Sequence, residues 1–579
     1  VGLQVEAAYG INVLKYTETV PSTSAAALAS EIIRGLGYWY FYGADRAAAW
    51  TQTSIAYTQN LWLIGASCVV PALCFVAAVF TRWRHRAYFV LITVVGMVLA
   101  VGPNPYTDPS AVGSALKAFM VETTAGLALR STDRASPLVI LSLAMFLGAG
   151  VSAVAARVRR TGLIVGGFAA AAVIAAATPL WSGGILADGF SQPAVPPLYV
   201  RQAAAALNTT NPGTRVYALP GNNFAAYRWG DTIDTVYPGL MTRPFVTHEQ
   251  QIMGSLATAD LLQALDSPLQ QGTMDWNTLA PMSSLMSAGN VLVQYDQAYE
   301  RYDTPNPQQL AVDLATTPSG LTDPVAYGTP RPNVPLIPHI DEATLSRPPS
   351  QRWTAPLVTY HVTNPRPVVR TESTRTPLVL AGDASGIVNA SSVGLLAGNP
   401  TILYAGTLDT DPSLRRATLG SSADLVVTDT NRKQGYRWNS LNENTGYTET
   451  VGQPPDTADP TDSPIKLFPG APAYAQTTTM LHGVSSVTAS SYGSSISYLP
   501  EDRPSAALDG NTQTAWLDGS FGDPRGQWWQ VVLQEPLAID HLTLVQPQTG
   551  DPDRWITKAT LTFDGRHPVT VPLGPASRT

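Results

Sequence analysis

Four long apolar runs decide what this chain can fold into. Leu61–Phe80, Pro137–Ala156 and Gly162–Trp181 each run 20 residues without Asp, Glu, Lys, Arg or His, and Ala87–Val101 is a shorter run of the same kind. About 20 apolar residues in a helix cross the hydrocarbon core of a bilayer. Two of the connections carry clustered arginine, Thr81–Arg86 (TRWRHR) and Arg157–Arg160 (RVRR). Positive loops remain cytoplasmic, so residues 1–60, 102–136 and everything after Trp181 are expected outside. Nearly 400 of the 579 residues then lie beyond the membrane, beside a bundle of four helices (61–80, 87–101, 137–156 and 162–181).

The charge balance narrows the partners. Net charge is −7, and without the six Arg of the two inner loops the remainder is about −13. An acidic exterior excludes nucleic acid, whose phosphates need a basic surface. Neutral partners such as glycans fit it better. The two cysteines, Cys68 and Cys74, both lie in the first apolar run. They are expected to pack between helices, leaving the outer region without disulfides. The seven His are scattered with no metal-ligand spacing. The sequence has no initiator Met and no signal peptide, and it reads as an internal piece of a longer chain.

Outside the apolar runs the composition divides the chain further. Residues 1–60 read as an outer loop with short interfacial helices, carrying the cluster Tyr38-Trp39-Tyr40-Phe41-Tyr42. The loop 102–136 contains a mildly amphipathic run, Val112–Leu129, expected as a helix lying on the membrane surface. Residues 182–356 read as mixed α/β, with a helix at Val195–Leu207, a strand at Arg215–Leu219, a helix at Thr258–Leu265 and a strand at Val291–Tyr295. Thr316–Pro356 is dense in Pro and is expected to be extended and irregular. Residues 357–453 alternate apolar strands (Pro377–Asp383, Thr401–Ala405, Leu425–Asp429) with helical stretches, the pattern of a small parallel α/β unit. A Pro-rich linker (454–476) leads to a tail, 477–579, of short strands. This is a β-sandwich (jelly-roll) pattern that breaks off without a closing element. The fold class is therefore multidomain: a transmembrane helical bundle, an extracytoplasmic α/β region and a β-sandwich.

Three constellations carry chemistry. Arg130-Ser-Thr-Asp133-Arg134 stands at the outer mouth of the third apolar run. Arginine binds phosphate bidentately and is always charged, so Arg130 and Arg134 suit a lipid-linked phosphate, with Asp133 holding them. The bland reading is snorkelling arginines and an N-cap before Pro137. The second is Asn222–Asp231. Its Asn223, Tyr227, Arg228 and Trp229 are the side chains sugar sites use, though an aromatic patch equally fills a core. The third is Arg503–Trp516 (RPSAALDGNTQTAW) with Gln527–Leu533 (QWWQVVL). Gly382-Asp383-Ala-Ser-Gly386 follows a strand but is not the dinucleotide fingerprint.

The third constellation resembles the discoidin, or coagulation factor 5/8 type C, module. That family carries an A-x-DG-x-x-x-T-x-W loop and a W-W-Q-V-D-L strand, and Val532 stands where its second motif has an acidic residue. The resemblance implies a carbohydrate-binding module. It also implies a structural Ca²⁺ at the DG turn, with Asp509, Asn511 and Thr514 as oxygen ligands by position. A hard cation held by a carboxylate and turn oxygens is chemically reasonable. A bare turn is the simpler alternative.

The order of parts as a whole resembles the mycobacterial and actinobacterial membrane α-(1→3)-arabinofuranosyltransferases. It rests on the multispanning helices, the R-S-T-D-R-A-x-P segment, L-P-G-x-x-F-A-x-Y-x-W-G (Leu219–Gly230) and the discoidin-like module. The resemblance implies a GT-C glycosyltransferase in the plasma membrane. Such an enzyme moves arabinofuranose from a polyprenyl-phosphate donor to a cell-wall arabinan (arabinogalactan or lipoarabinomannan). The family's acidic residue lies in an outer loop that this sequence does not contain, so the catalytic base is assigned to no residue here. Two other classes remain: a membrane-anchored glycan-binding scaffold without catalysis, and a transporter. The helices carry none of the intramembrane charges that a transporter uses.

Overall fold

The computed structural model describes the chain except residues 1–13, 15–17, 45–48, 182–184, 186–189, 191, 250–253, 303, 337–352, 437–440, 442–444, 454–474, 494–498, 513, 520–523, 547–555 and 575–579. Most of the expected linker therefore lies outside the described residues.

The apolar runs form α1 (Leu61–Phe80), α2 (Arg86–Val101), α4 (Ser136–Arg157) and α5 (Arg159–Ala176), with α3 (Ala111–Glu122) between the second and third. α1 starts where the Asn60 side chain accepts from the Trp62 and Leu63 amides, an N-cap that meets two orphan donors. α4 packs against α1, α2 and α5. Its Gly150 lies so close to α1 that an added Cβ would stand 2.6 Å from Ala77 Cβ. Small residues let helix backbones approach in this way where no hydrophobic force drives them together. The Tyr57 hydroxyl, just before α1, donates to Ala176 O at the end of α5 at 2.6 Å. One end of the bundle thus gathers both arginine clusters, and the other gathers residues 57–60, 102 and 130–136. Leu61, Trp62, Leu163 and Phe168 point away from the bundle and are exposed.

The bundle departs from expectation in three places. α1 and the segment Thr132–Arg157 are long and apolar enough to cross a membrane, whereas α2 and 160–176 are shorter apolar helices. α5 stops at Ala176, and Thr178–Trp181 is a separate turn. The expected surface helix 112–129 is broken: α3 ends at Glu122, and the Thr123 side chain caps the next turn, Thr124–Ala128. The segment before α1 folds as short helices, including Val20–Ala25, Ala29–Ile33 and Gln52–Gln59. It lies over the mouth, with Asn104 Nδ2 donating to Ser24 O at 2.9 Å and Thr23 Oγ1 to Arg130 O at 3.2 Å. Cys74 is buried, Cys68 is exposed, and neither is in a disulfide.

Beyond the bundle a five-stranded sheet runs β4-β1-β5-β7-β6. Its strands are β1 (Arg215–Leu219), β4 (Phe245–Val246), β5 (Ala288–Gln294), β6 (Leu321–Tyr327) and β7 (Leu357–Val362). β1 is parallel to both β4 and β5, and β7 is antiparallel to β5 and β6. β5 is buried along its whole length, as a strand covered on both faces must be. One face packs on α6 (Leu198–Thr209) through Val200, Ala203 and Leu207. The other packs on α7 (Leu256–Gln270) and α8 (Leu279–Leu285). A short hairpin, β2 (Ala225–Tyr227) with β3 (Gly230–Ile233), follows β1.

Two boundaries move. β7 belongs to this sheet, so the division expected at residue 357 falls later, after Val362. The stretch expected to be extended and irregular contains an ordered, paired strand, β6. Its Asp323 has φ +52°, and the register shifts between Thr322 and Val325 around Pro324. Proline is tolerated at such an edge-strand irregularity, and it hid the strand in the sequence.

A second sheet, β8 (Leu378–Ala381) between β10 (Asp424–Val427) and β9 (Ile402–Tyr404), is wholly parallel, as the sequence pattern indicates. It shares one core with the first sheet, in which Leu378, Leu380 and Ile387 of α10 (Ala384–Ser392) meet Leu265 and Leu279. Asp260 of α7 accepts the Ala384 amide at 2.9 Å.

A hairpin, β11 (Gln434–Tyr436) with β12 (Thr445–Thr448), then meets the tail. Thr479 N donates to Glu449 O at 2.8 Å, and Arg503, 2 % exposed, pairs with Glu449 at 2.5 Å. In the tail, β13 (Val484–Ala489) pairs with β14 (Trp529–Leu533), and β15 (Lys558–Phe563) pairs with β16 (Arg566–Pro572). The described residues thus give two antiparallel pairs of the expected sandwich.

Burial and the nearby Asp383 carboxylate push Asp260 from its ordinary 3.8 up to about 7. The folded state therefore holds this proton more tightly than the unfolded state. Stability from this group is lost as pH rises through about 4 to 7. After correction for intrinsic rates, amide exchange in Ala384–Ser392 is expected to be faster at pH 8 than at pH 5, and Asp260→Asn should flatten the difference. Equal protection at both pH values in the parent protein would contradict this.

Candidate functional site

β1 lies between β4 and β5; the chain passes from β1 to β4 on one side of this pair and from β5 to β6 on the other. The loops after two such parallel strands diverge and leave a crevice at their carboxyl ends, where open α/β sheets place their ligands. The segment Leu219–Gly230 is the loop that leaves β1, and 295–298 is the loop that leaves β5. Here the two loops are zipped together. Arg228 N donates to Asp296 O at 2.8 Å, Ala298 N to Ala226 O at 2.9 Å, and Gln297 Nε2 to Pro220 O at 3.2 Å. Beneath them the Asp266 carboxylate accepts the Gly221 amide and faces His248 Nδ1, both at 3.0 Å.

A shallow cleft, open to solvent, lies against this layer. Arg228 and Asp296 form part of one wall, and Gln308, Arg331, Asn333 and Trp353 complete it. Gln308 comes from α9 (Pro307–Asp313). Arg228 is clamped by Glu300, with its two terminal nitrogens 2.6 and 2.5 Å from the two carboxylate oxygens. Burial would raise Glu300, but the Arg228 donors and the Leu336 amide outweigh it and hold its pKa below the usual value. Asn333 accepts from Arg228 Nε and donates to the carbonyls of Tyr295 and Gln297 at 2.7 and 2.8 Å. It therefore ties the outer lip to the β5 loop. Asp296 is 3 % exposed. Its Oδ2 accepts from the Tyr199 hydroxyl at 2.7 Å and from Trp229 Nε1 at 3.2 Å, while Oδ1 has no hydrogen-bond partner. Burial pushes Asp296 up to about 6, opposed by Tyr199, Trp229 and Arg331.

The sugar-site candidates divide accordingly. Tyr227 is buried, with its ring stacked on Trp229 at 4.8 Å and 5°, so these two rings fill the layer beneath the cleft. Arg228 lines the cleft. Asn223 points elsewhere, accepting the Leu441 amide at 2.9 Å. Asp296, Arg331, Asn333 and Trp353 carried no local signal, because they converge only through the sheet.

At the membrane mouth, Arg130 is 5 % exposed and held by Glu18 at 3.1 Å and Leu127 O at 2.8 Å. Asp133 is 4 % exposed, and neither carboxylate oxygen has a hydrogen-bond partner. Arg134 is exposed. The segment thus presents one outward guanidinium, while Glu18, not Asp133, holds Arg130. In the tail, Asp509 accepts from the Asn511 amide at 2.9 Å and the Thr514 hydroxyl at 2.7 Å, around Gly510 with φ +76°. Among the described residues no group of three or more His, Cys, Asp and Glu is placed to hold a metal ion.

Helical bundle, α/β unit and discoidin-like tail together define a GT-C-type glycosyltransferase architecture. Residues 1–462 match the family described as alpha-(1→3)-arabinofuranosyltransferase, N-terminal GT-C domain, and 486–567 match the F5/8 type C domain. The chain belongs to that arabinofuranosyltransferase family. It is 24 % identical over 564 residues to the alpha-(1→3)-arabinofuranosyltransferase of Mycobacterium tuberculosis, covering 93 % of this chain and 38 % of the relative. It is 25 % identical over 606 residues to that of Mycolicibacterium smegmatis, covering 97 % and 40 %. Cryo-EM structures of mycobacterial arabinofuranosyltransferase AftD superpose with TM-scores of 0.64 and 0.66 at 17 % identity, covering 99 % of this chain and 38 and 40 % of theirs. The chain spans about two fifths of the length of these relatives.

The Arg228–Glu300 clamp yields a direct expectation. Removing one partner leaves a buried charge uncompensated, at a cost of about 3–5 kcal/mol. Arg228→Ala is expected to lose that much in chemical denaturation of the α/β unit. Arg228→Lys should recover little of it, since lysine lacks the planar fork. Full recovery by lysine would show that charge alone, without bidentate geometry, holds the clamp.

Proposed function

We propose that this chain is part of a multi-pass plasma-membrane glycosyltransferase that transfers arabinofuranose from a polyprenyl-phosphate donor to cell-wall arabinan. Membership of the arabinofuranosyltransferase family across residues 1–462 carries this reading. The apolar bundle and the arginine clusters gathered at its far end support an extracytoplasmic α/β unit. The donor's isoprenoid tail would lie in the outer leaflet with its phosphate at the mouth formed by 130–136. In the transfer step the anomeric C–O bond to phosphate breaks through an oxocarbenium-like state. The acceptor hydroxyl oxygen forms the new bond and gives its proton to a carboxylate base. The departing phosphate carries away the electron pair and needs a cation.

Arg134, exposed at the mouth, is the group proposed to meet that phosphate, while Arg130 and Asp133 shape the segment behind it. Arg134→Ala in the full-length enzyme is expected to raise KM for polyprenyl-phosphate arabinose about tenfold, equivalent to ~1.4 kcal/mol. Donor turnover identical to the parent enzyme would remove Arg134 from the donor site.

In the discoidin-like tail, Asp509, Asn511 and Thr514 are proposed to hold a structural Ca²⁺. Asp509 Oδ2 and the Asn511 carbonyl both lie within 2.9 Å of the Thr514 hydroxyl, so three oxygens already converge on one turn. That suits part of the shell of a cation that takes oxygen ligands. Chelation with EGTA is expected to lower the thermal transition of the tail, and Asp509→Asn should abolish the response. A transition indifferent to both Ca²⁺ and EGTA would leave the turn self-sufficient.

A further inference from the structure

We infer that the end of the bundle carrying the two arginine clusters is a binding surface for anionic phospholipid headgroups. The inference rests on the membrane placement of the bundle proposed above and not on the transfer chemistry.

The loops 81–85 and 157–160 and the helices joined to them supply six arginines and no carboxylate. No Asp or Glu occurs between residues 61 and 107 or between 134 and 187. Arg82, Arg84, Arg157 and Arg160 are exposed, and Arg86 is half-buried. Among the described residues, none of these five side chains makes an ion pair or a hydrogen bond. Arginines elsewhere are committed to carboxylates: Arg34 to Glu31, Arg130 to Glu18 and Arg228 to Glu300. The two loops lie side by side because α1 and α4 pack together; a Cβ at Gly150 would stand 3.9 Å from Thr81 Oγ1.

A loop that only sets topology needs its charge and nothing more. Here the backbone adds to it. α2 and α5 both begin at this end, and neither His85 nor Val158 caps its helix with a side-chain hydrogen bond. Their first-turn amides and helix dipoles favour an anion. Phosphate oxygens suit both these amides and the planar guanidinium fork.

The apolar surroundings select a lipid over a soluble phosphate. α1 and α2 each pack along α4 and not along one another. Val76, Val79 and Phe80 of α1 and Tyr88 and Leu91 of α2 stay exposed beside the arginines, where acyl chains cover them. α2 has 16 residues and α5 has 18, or about 24 and 27 Å at 1.5 Å per residue. Both fall short of the ~30 Å hydrocarbon core, so Arg86 and Arg160, in their first turns, are held at the level of the headgroups. The Trp83 ring, stacked on Phe89 at 5.4 Å and 17°, lies in the same layer, where aromatic rings favour the interface.

The test is native mass spectrometry of the chain in a neutral detergent, with phosphatidylglycerol and phosphatidylcholine added at equal concentration. Phosphatidylglycerol is expected to bind at least about tenfold more tightly, and raising the salt from about 50 to about 500 mM should weaken it. The pair Arg84→Gln and Arg157→Gln removes one charge from each loop and should weaken it about 25-fold, or about fivefold per charge. Both positions are exposed, so circular dichroism and the thermal transition are expected to match the parent. The pair Arg84→Lys and Arg157→Lys keeps the charge without the fork and should bind between the parent and the glutamine pair. Equal retention of the two lipids, or a glutamine pair that binds as the parent does, would overturn the surface. Displacement of the lipid by inorganic phosphate or by poly-glutamate would assign the patch to a soluble anion or an acidic protein, and would overturn it too. No donor or acceptor is present in these measurements. Failure of lipid selectivity therefore leaves the transferase reading standing, and absence of transfer by the full-length protein leaves the lipid surface standing.

Discussion

Where charge can be placed governs the rest of this structure. A stretch such as Leu61–Phe80 has no Asp, Glu, Lys, Arg or His to offer water, and one face of it, with Leu61, Trp62, Val76, Val79 and Phe80, points outward from the bundle. Only lipid or another apolar surface satisfies them. Arginine is then confined to the ends of the helices, and the two clusters fall together at one end because α1 and α4 run side by side in the same direction. The opposite end must accommodate the polar remainder of the chain. The buried Arg130–Glu18 pair, the exposed Arg134 and the entry to the α/β unit all follow from that partition.

Within the α/β unit a second constraint acts locally. A fully buried β5 flanked by β1 and β7 leaves no freedom for its own side chains. Variation is concentrated in the loops at the strand ends, where backbone groups must be met by partners. The loop after β1 and the loop after β5 meet each other's backbone needs. They bring Arg228, Asp296 and Glu300 into one network, with Tyr227 and Trp229 as its apolar floor. A rigid polar wall results, and the cleft is its exposed face.

Local chemistry was legible in the sequence; convergence was not. α1 occupies the apolar run from Leu61 to Phe80, and β1 occupies Arg215–Leu219, because single local signals (an Asn cap, a run of apolar residues) set their limits. The parallel order of β8, β9 and β10 followed from alternation. β6 was missed because Pro324 and the positive φ of Asp323 interrupt the pattern that marks a strand. The motif at Asn223–Trp229 was visible, but its roles were mixed. Aromatic spacing alone could not show that Tyr227 and Trp229 stack inward while Arg228 faces the cleft. Asp296, Arg331 and Trp353 lie about 70 to 125 residues further along, and no spacing rule links them to the motif. Likewise nothing near Arg130 announces Glu18 as its partner across more than a hundred residues.

Orientation is the claim on which the remaining assignments stand, and side-selective labelling tests it most directly. On a Cys68→Ser, Cys74→Ala background, single cysteines at Arg331 and at Arg84 are exposed to a membrane-impermeant maleimide in intact cells. Position 331 should react and position 84 should react only after the cells are lysed. The reverse pattern, with position 84 labelled in intact cells and position 331 protected, would place the cleft in the cytosol and contradict the account.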